Sequence, residues 1–337
     1  MNISGREIEK LLSFGKTLCK DNTTEAEQIG GLFPRGYMSI LASPPGSGKT
    51  WLTLYLACQL SVGGEILNGL ATSKPQKVII FAGETARNVY ECRLAKTQWG
   101  YNPDNVIIYS AYELGVNNIP FLLNSKEGRD NITAVLTELK PDLVIFDTLI
   151  SFHTLDESKQ SEMTQLYNYL NRLANYFNCA ILCNHHTRKR TTNSPDRELN
   201  QDDVIGSSAG IRLASTVYII KTEETEEGTG LTRMTVKNVK SWNEKIPPFS
   251  YEFINAENYI DFLINLNVVE KWSAKSRIKA LVNNLNENGF LQVNKVAESL
   301  KLSVKTTRRT LENLADTGII ERFIFDNNVA YRLPQNE

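Results

Sequence analysis

Ser43-Pro44-Pro45-Gly46-Ser47-Gly48-Lys49-Thr50 lies between an apolar stretch, Met38-Ser39-Ile40-Leu41-Ala42, and a helix-like one, Trp51-Leu52-Thr53-Leu54-Tyr55-Leu56-Ala57-Cys58. Strand, glycine-rich loop, Lys-Thr and helix, in that order, make the setting of a phosphate-binding loop. Backbone N–H groups of such a loop converge with those of the helix N-terminus and attract phosphate oxygens. Lys49 adds a full charge for the β- and γ-phosphates, and the Thr50 hydroxyl is placed to ligate Mg²⁺. Ser43 stands where the pattern has its first glycine. An ordinary Gly/Pro turn would not call for Gly-Lys-Thr opening a helix, so the segment predicts a nucleotide-binding protein. The whole of 43–50 forms the expected cradle.

The chain has 337 residues, 41% hydrophobic and 22% charged, enough for one large domain and a small one. No stretch approaches the roughly eighteen consecutive apolar residues of a membrane span. The opening Met1-Asn2-Ile3-Ser4-Gly5-Arg6-Glu7 lacks the apolar core of a signal peptide. Five cysteines without a CxxC pair fit free thiols in a reducing cytoplasm, the expected location. Three histidines and no Cys/His cluster argue against a zinc site.

Past the phosphate loop, apolar runs alternate with helical patterns, which predicts an α/β fold with a parallel sheet covered on both faces. The runs are Val78–Ala82, Val106–Tyr109, Leu143–Asp147 and Cys179–Cys183, then Thr216–Lys221 and Thr232–Val239 around an acidic turn. Three of them end in polar groups at the sheet edge where open α/β sheets bind ligands. Asp147 closes its strand as a carboxylate for the Mg²⁺ shell. Glu84 follows its strand and is a candidate to orient or deprotonate the attacking water, against the alternative of a surface acid at a helix N-terminus. One of His185 and His186 is a candidate to hydrogen-bond the γ-phosphate.

This order of parts resembles the RecA-like hexameric replicative ATPases, most closely the plasmid RepA-type helicases, over roughly Gly30 to Phe253. The approach Gly30-Gly31-Leu32-Phe33-Pro34-Arg35-Gly36 is similar as well. The resemblance implies a RecA-like P-loop ATPase domain over 30–260, using ATP and Mg²⁺, with Glu84 as catalytic glutamate and His186 or His185 as sensor. It further implies that Arg212, in Gly206-Ser207-Ser208-Ala209-Gly210-Ile211-Arg212, serves as an arginine finger and Lys237 as a trans-acting lysine. ATP would then sit between subunits of a homo-oligomeric ring. The polar loop holding Arg188, Lys189 and Arg190 matches the loop that faces the channel and touches single-stranded DNA, or is a surface loop with incidental charge.

From Ser273 the pattern changes. Residues 273–333 carry ten Lys/Arg against six Asp/Glu, a net +4 in a chain whose total is −1. Three amphipathic helices, 276–288, 293–300 and 304–317, precede two strands, 319–325 and 329–333, the order of a small C-terminal winged-helix domain. Val304, Leu311, Leu314 and Ala315 are the expected buried face of the third helix. Lys305, Arg308 and Arg309 crowd its N-terminal half, opposite to what the helix dipole prefers, which favours duplex contact over the competing reading of a winged helix that binds protein, a neighbouring copy included. Residues 1–29 form an N-terminal segment, helical from Glu7 to Cys19, and no membrane partner is expected.

Taken together, the sequence and this resemblance favour a cytoplasmic, oligomeric ATPase acting on DNA, a replicative helicase or helicase-like replication factor, and the resemblance alone implies that it serves a mobile element. The alternative is an ATP-switched DNA-binding regulator or loader that unwinds nothing. A small-molecule kinase is disfavoured by the missing lid and the winged tail.

Overall fold

The computed structural model describes residues 26–67, 70–72, 74–97, 99–187, 204, 208–223, 232–242, 245–256, 259–265, 290–299, 303–316, 318–325, 328–332 and 334. The expected helix over 7–19, the basic loop 188–190, Gly206 and Ser207, and the helix expected over 276–288 lie outside these residues.

Apolar residues lie on both sides of each central strand, and that pattern builds the core. In β3 (Met38–Ser43), Met38, Ile40 and Ala42 face one cluster while Leu41 faces the other. The same alternation holds in β6 (Val78–Ala82) and β8 (Leu143–Asp147). Helices α4 (Lys126–Leu139) and α5 (Gln160–Phe177) bury Ile132, Leu136, Met163, Leu166 and Leu170 against the first face. Helices α1 (Lys49–Val62) and α2 (Arg87–Lys96) cover the second with Leu52, Leu56 and Tyr90. Phe81 stacks on Phe146 at 5.2 Å and on Tyr109 at 5.5 Å, tying three neighbouring strands together.

Among the described residues the main sheet has nine strands. Its parallel part runs, in spatial order, β10 (Thr216–Glu223), β3, β9 (Ala180–His186), β8, β6 and β7 (Val106–Ser110). At one edge the sheet turns antiparallel: β11 (Thr232–Ser241), the expected strand after the acidic turn, pairs antiparallel with β10, and β12 (Phe249–Ala256) and β13 (Tyr259–Asn265) extend it. Between β2 (Phe33–Pro34) and its partner β1 (Gln28–Ile29) the turn passes through Gly30 and Gly31, both left-handed. Two further short strands, β4 (Gly64–Leu67) and β5 (Leu70–Thr72), pair beyond α1, and α3 (Ala111–Val116) follows β7.

The C-terminal unit holds a strand β14 (Phe290–Gln292), helices α7 (Val293–Ser299) and α8 (Val304–Asp316), and a hairpin β15 (Glu321–Phe325) with β16 (Asn328–Arg332). The three strands form one sheet, β14-β16-β15. Ser303 caps α8 by accepting from Thr306 N at 3.1 Å, and Gly318 follows the helix at φ +73°. Leu311 and Leu314 are buried as expected, but Val304 is 44% exposed. Thr307, fully buried, joins Leu311 and Leu314 on the inward face, while Val304, on the same face at the first position of the helix, is left uncovered. No helix among the described residues is long and apolar enough to cross a membrane.

Candidate nucleotide-binding and hydrolysis site

The sheet's C-terminal edge gathers the chemistry. The loop after β3 turns through Gly46 and Gly48, both at φ +76°, a left-handed backbone that side chains resist. An added Cβ at Gly46 would meet open space, so backbone conformation rather than room demands glycine there. Ser47 Oγ donates to Pro44 O at 2.7 Å and closes the loop on itself. Tyr251 of β12 donates from its buried hydroxyl to Ser47 O at 3.2 Å, supporting the loop from the added antiparallel strands. The amides of Gly46, Gly48, Lys49 and Thr50 make no hydrogen bond to other described residues, which suits them to receive an anion.

Lys49 is 6% exposed. Its ammonium donates to Ser43 Oγ at 2.8 Å, Ser43 O at 3.2 Å and Pro44 O at 3.3 Å. Burial pushes its pKa down to about 8, with Asp147 and Glu84 opposing the shift. So Ser43, the departure from the glycine pattern, supplies the hydroxyl on which the lysine rests.

Asp147 is buried, and both of its oxygens are held. Tyr90 Oη donates to Oδ2 at 3.0 Å and Asn184 Nδ2 donates to Oδ1 at 2.8 Å. Asn184 Oδ1 is itself buried without a partner. The peptide after Asp147 is cis, and Thr148 Oγ1 donates to Glu84 Oε1 at 2.6 Å. Glu84 remains half exposed, open to water on its other side.

Of the two histidines, the structure brings only His186 to this group. Its Nδ1 lies 3.5 Å from Lys49 Nζ and its Nε2 lies 3.5 Å from Glu84 Oε1. A neutral ring protonated on Nε2 serves both contacts. His185, on the other face of β9, is 4% exposed and sits 3.1 Å from Glu157 Oε1. Glu157 also lies 4.0 Å from His153 Nε2, so a Glu and two histidines are packed behind the site.

The remaining expected residues are farther off. Lys237 is exposed on β11, paired in register with Ile219 of β10, which pairs with Ala42, so it stands at the level of the phosphate loop two strands away. Arg212 lies in the five-residue α6 (Ala209–Leu213) beside Tyr37 and Trp242, at the opposite end of the strands from Lys49. Lys305, Arg308 and Arg309 are all exposed on α8. Tyr90, Asn184, Thr148, Tyr251 and Glu157 stand in no motif of the sequence. Their roles come from strand register and helix packing, for which the local sequence carries no signal.

Comparison with known proteins agrees with this architecture. A family model described as an AAA domain matches residues 10–192, and one described as a DeoR-like helix-turn-helix domain matches residues 277–324. No curated protein matches the chain. Among solved structures, that of a DnaB-like replicative helicase, determined for its interactions with primase, is 13% identical, with a TM-score of 0.52 over 77% of this chain and 67% of that one. A second solved structure, described as an ATPase domain, is likewise 13% identical, with a TM-score of 0.52 over 77% of this chain and 99% of that one. The KaiC-like protein PH0186 of the hyperthermophilic archaeon Pyrococcus horikoshii OT3 is 13% identical, with a TM-score of 0.47 over 71% and 99%. The likenesses to the helicase and to the isolated ATPase domain show the fold of the core, a RecA-like α/β ATPase, and the family match over 277–324 adds a C-terminal helix-turn-helix domain, in which the β15–β16 hairpin follows α8.

Proposed function

The chain belongs to the AAA-domain family, and from that premise we propose that it is an oligomeric, Mg²⁺-dependent ATPase that acts on DNA, as a replicative helicase or helicase-like replication factor. The observation that carries the proposal is the meeting of Lys49, His186, Glu84 and Asp147 at one sheet edge above a loop with free amides.

The residues fit a Mg²⁺-bound triphosphate. Residues 43–50 would hold the phosphates through the free amides and the Lys49 ammonium, and Thr50 with Asp147 would hold the metal shell. The metal, when bound, would neutralise charge developing on the phosphate oxygens. Glu84, anchored on one side by Thr148 and open on the other, is the general base or orienting group for the attacking water. His186, between Lys49 and Glu84, is the group that detects whether the γ-phosphate is present. We assign Lys237 to reach a neighbouring subunit's nucleotide. Arg212, at the far edge, would do so only from a copy stacked differently.

DNA contact is assigned to Lys305, Arg308 and Arg309 on exposed α8 for duplex, and to Arg188, Lys189 and Arg190 for single strands in the channel of a ring. The helicase and primase named with a solved relative support replication as the setting. The second reading, an ATP-switched DNA-binding regulator, is favoured by the DeoR-like helix-turn-helix match.

Glu84→Gln tests the centre of the proposal. Affinity for a fluorescent ATP analogue should stay near wild type while hydrolysis falls by about a hundredfold or more. Equal turnover in the variant would remove Glu84 from the chemistry.

A further inference from the structure

A second surface, on the far side of the sheet from the phosphate loop, has a composition of its own. It is a groove of 980 Å³ along the outward face of α5, closed at its base by α6 and by the residues that lead into β3. β3 is six residues long, so at about 3.3 Å per residue the groove's base lies roughly 20 Å from the nucleotide site.

Three arginines line it, Arg129, Arg172 and Arg212, and no carboxylate among the described residues does. Arg129 is fixed, its Nε donating to Leu123 O at 2.6 Å and its guanidinium lying 4.3 Å from the Tyr169 ring centre. No ion pair among the described residues engages Arg172 or Arg212. Two aromatic side chains stand open to solvent within the groove: Trp242 is 54% exposed and Tyr176 is 80% exposed. Tyr37 packs against Trp242 edge to face at 5.1 Å, and Lys240 Nζ lies over the indole ring at 5.7 Å from its centre. The amides of Gln165, Asn168 and Asn175 line the groove as well.

We propose that this groove binds single-stranded nucleic acid, with phosphates on Arg172 and Arg212, bases stacked on Trp242 and Tyr176, and base edges on the amides. Guanidinium groups, exposed ring faces and amides together are the chemistry by which single strands are held without sequence preference. An acidic peptide would use the arginines and leave the rings without a partner. The proposal rests on DNA being the substrate of the ATPase, and adds a contact for the strand made by residues other than 188–190 and the helix-turn-helix domain.

The test titrates the full-length protein with a labelled oligothymidylate, following anisotropy and intrinsic tryptophan emission. Arg172→Ala and Trp242→Ala should each weaken binding by about tenfold, with thermal unfolding midpoints unchanged. Oligothymidylate should quench the wild-type emission, and Trp242→Phe should remove most of that quench. Unchanged affinity in both alanine variants, or a quench that survives Trp242→Phe, would overturn the proposal. So would polyglutamate binding that depends on Arg172 and Trp242 as strongly as the oligonucleotide does. Duplex affinity, measured with Lys305→Ala and Arg308→Ala, reports on the DNA reading separately, so the two can fail independently.

Discussion

Lys49 is held by the very residue that departs from the glycine pattern. Its ammonium donates to Ser43 Oγ at 2.8 Å, and a phosphate must compete with that bond. Ser43→Ala should therefore raise ATP affinity, by about two- to tenfold, the net value of one hydrogen bond. An equilibrium titration with a fluorescent analogue reads this directly; weaker binding would mean that the hydroxyl serves the bound state instead. At this scale Lys49, Glu84 and Asp147 were legible in the sequence, because each sits in a motif or at a strand end. The assignment between His185 and His186 was not. Neighbours on a strand point to opposite faces, and only the register of β9 against β3 shows that His186 shares the side of Lys49. Tyr90, Asn184 and Tyr251 were hidden for the same reason, since each meets its partner across 37 or more residues of chain.

At the scale of elements, the strands of the core were readable nearly to the residue. Val78–Ala82 and Leu143–Asp147 match their expected bounds, since fully apolar runs bounded by polar residues leave little choice. The sheet continues past Val239, the expected end of its last strand. The alternation Phe249-Ser250-Tyr251-Glu252-Phe253 is the period-two signature of a half-buried strand, so that signal was in the sequence. The start of α4 shows how tightly one helix end is built. Ser125 Oγ accepts from Gly128 N at 3.0 Å, and a Cβ on Gly128 would lie 2.2 Å from Leu122 O and 2.4 Å from Leu122 N. Gly128→Ala should thus cost about 3 kcal/mol, against about 1 kcal/mol for Ser125→Ala, in urea unfolding. Gly115→Ala, where added carbon meets nothing within 4 Å, is the control and should not destabilise. A Gly128 variant as stable as wild type would contradict the packing at this corner.

Across the whole molecule, acid should weaken the fold through the group behind the site. Burial holds His153 below its ordinary 6.5, opposed by Glu157. The unfolded chain then takes up a proton that folded His153 refuses, so stability falls as pH drops through 6.5. Glu157 is held below its ordinary 4.5, chiefly by His185, and its contribution is present above 4.5 and lost as pH falls through the depressed value. Both effects run in one direction. His153→Asn, which keeps an acceptor for Leu155 N, should flatten the decline of the unfolding midpoint near 6.5; an unchanged slope would place the proton uptake elsewhere.

The RecA-like core and the helix-turn-helix domain were both legible from motif order and helix patterning. Steady-state ATP hydrolysis, measured with and without single-stranded DNA over a range of protein concentrations and with Lys49→Ala as the blank, tests the central claim most directly. An ATPase that works on DNA with sites shared between subunits should be stimulated by the single strand, and its rate should climb more steeply than protein concentration. A rate that ignores DNA and rises only in proportion to protein, or that does not exceed the Lys49→Ala blank, would contradict it.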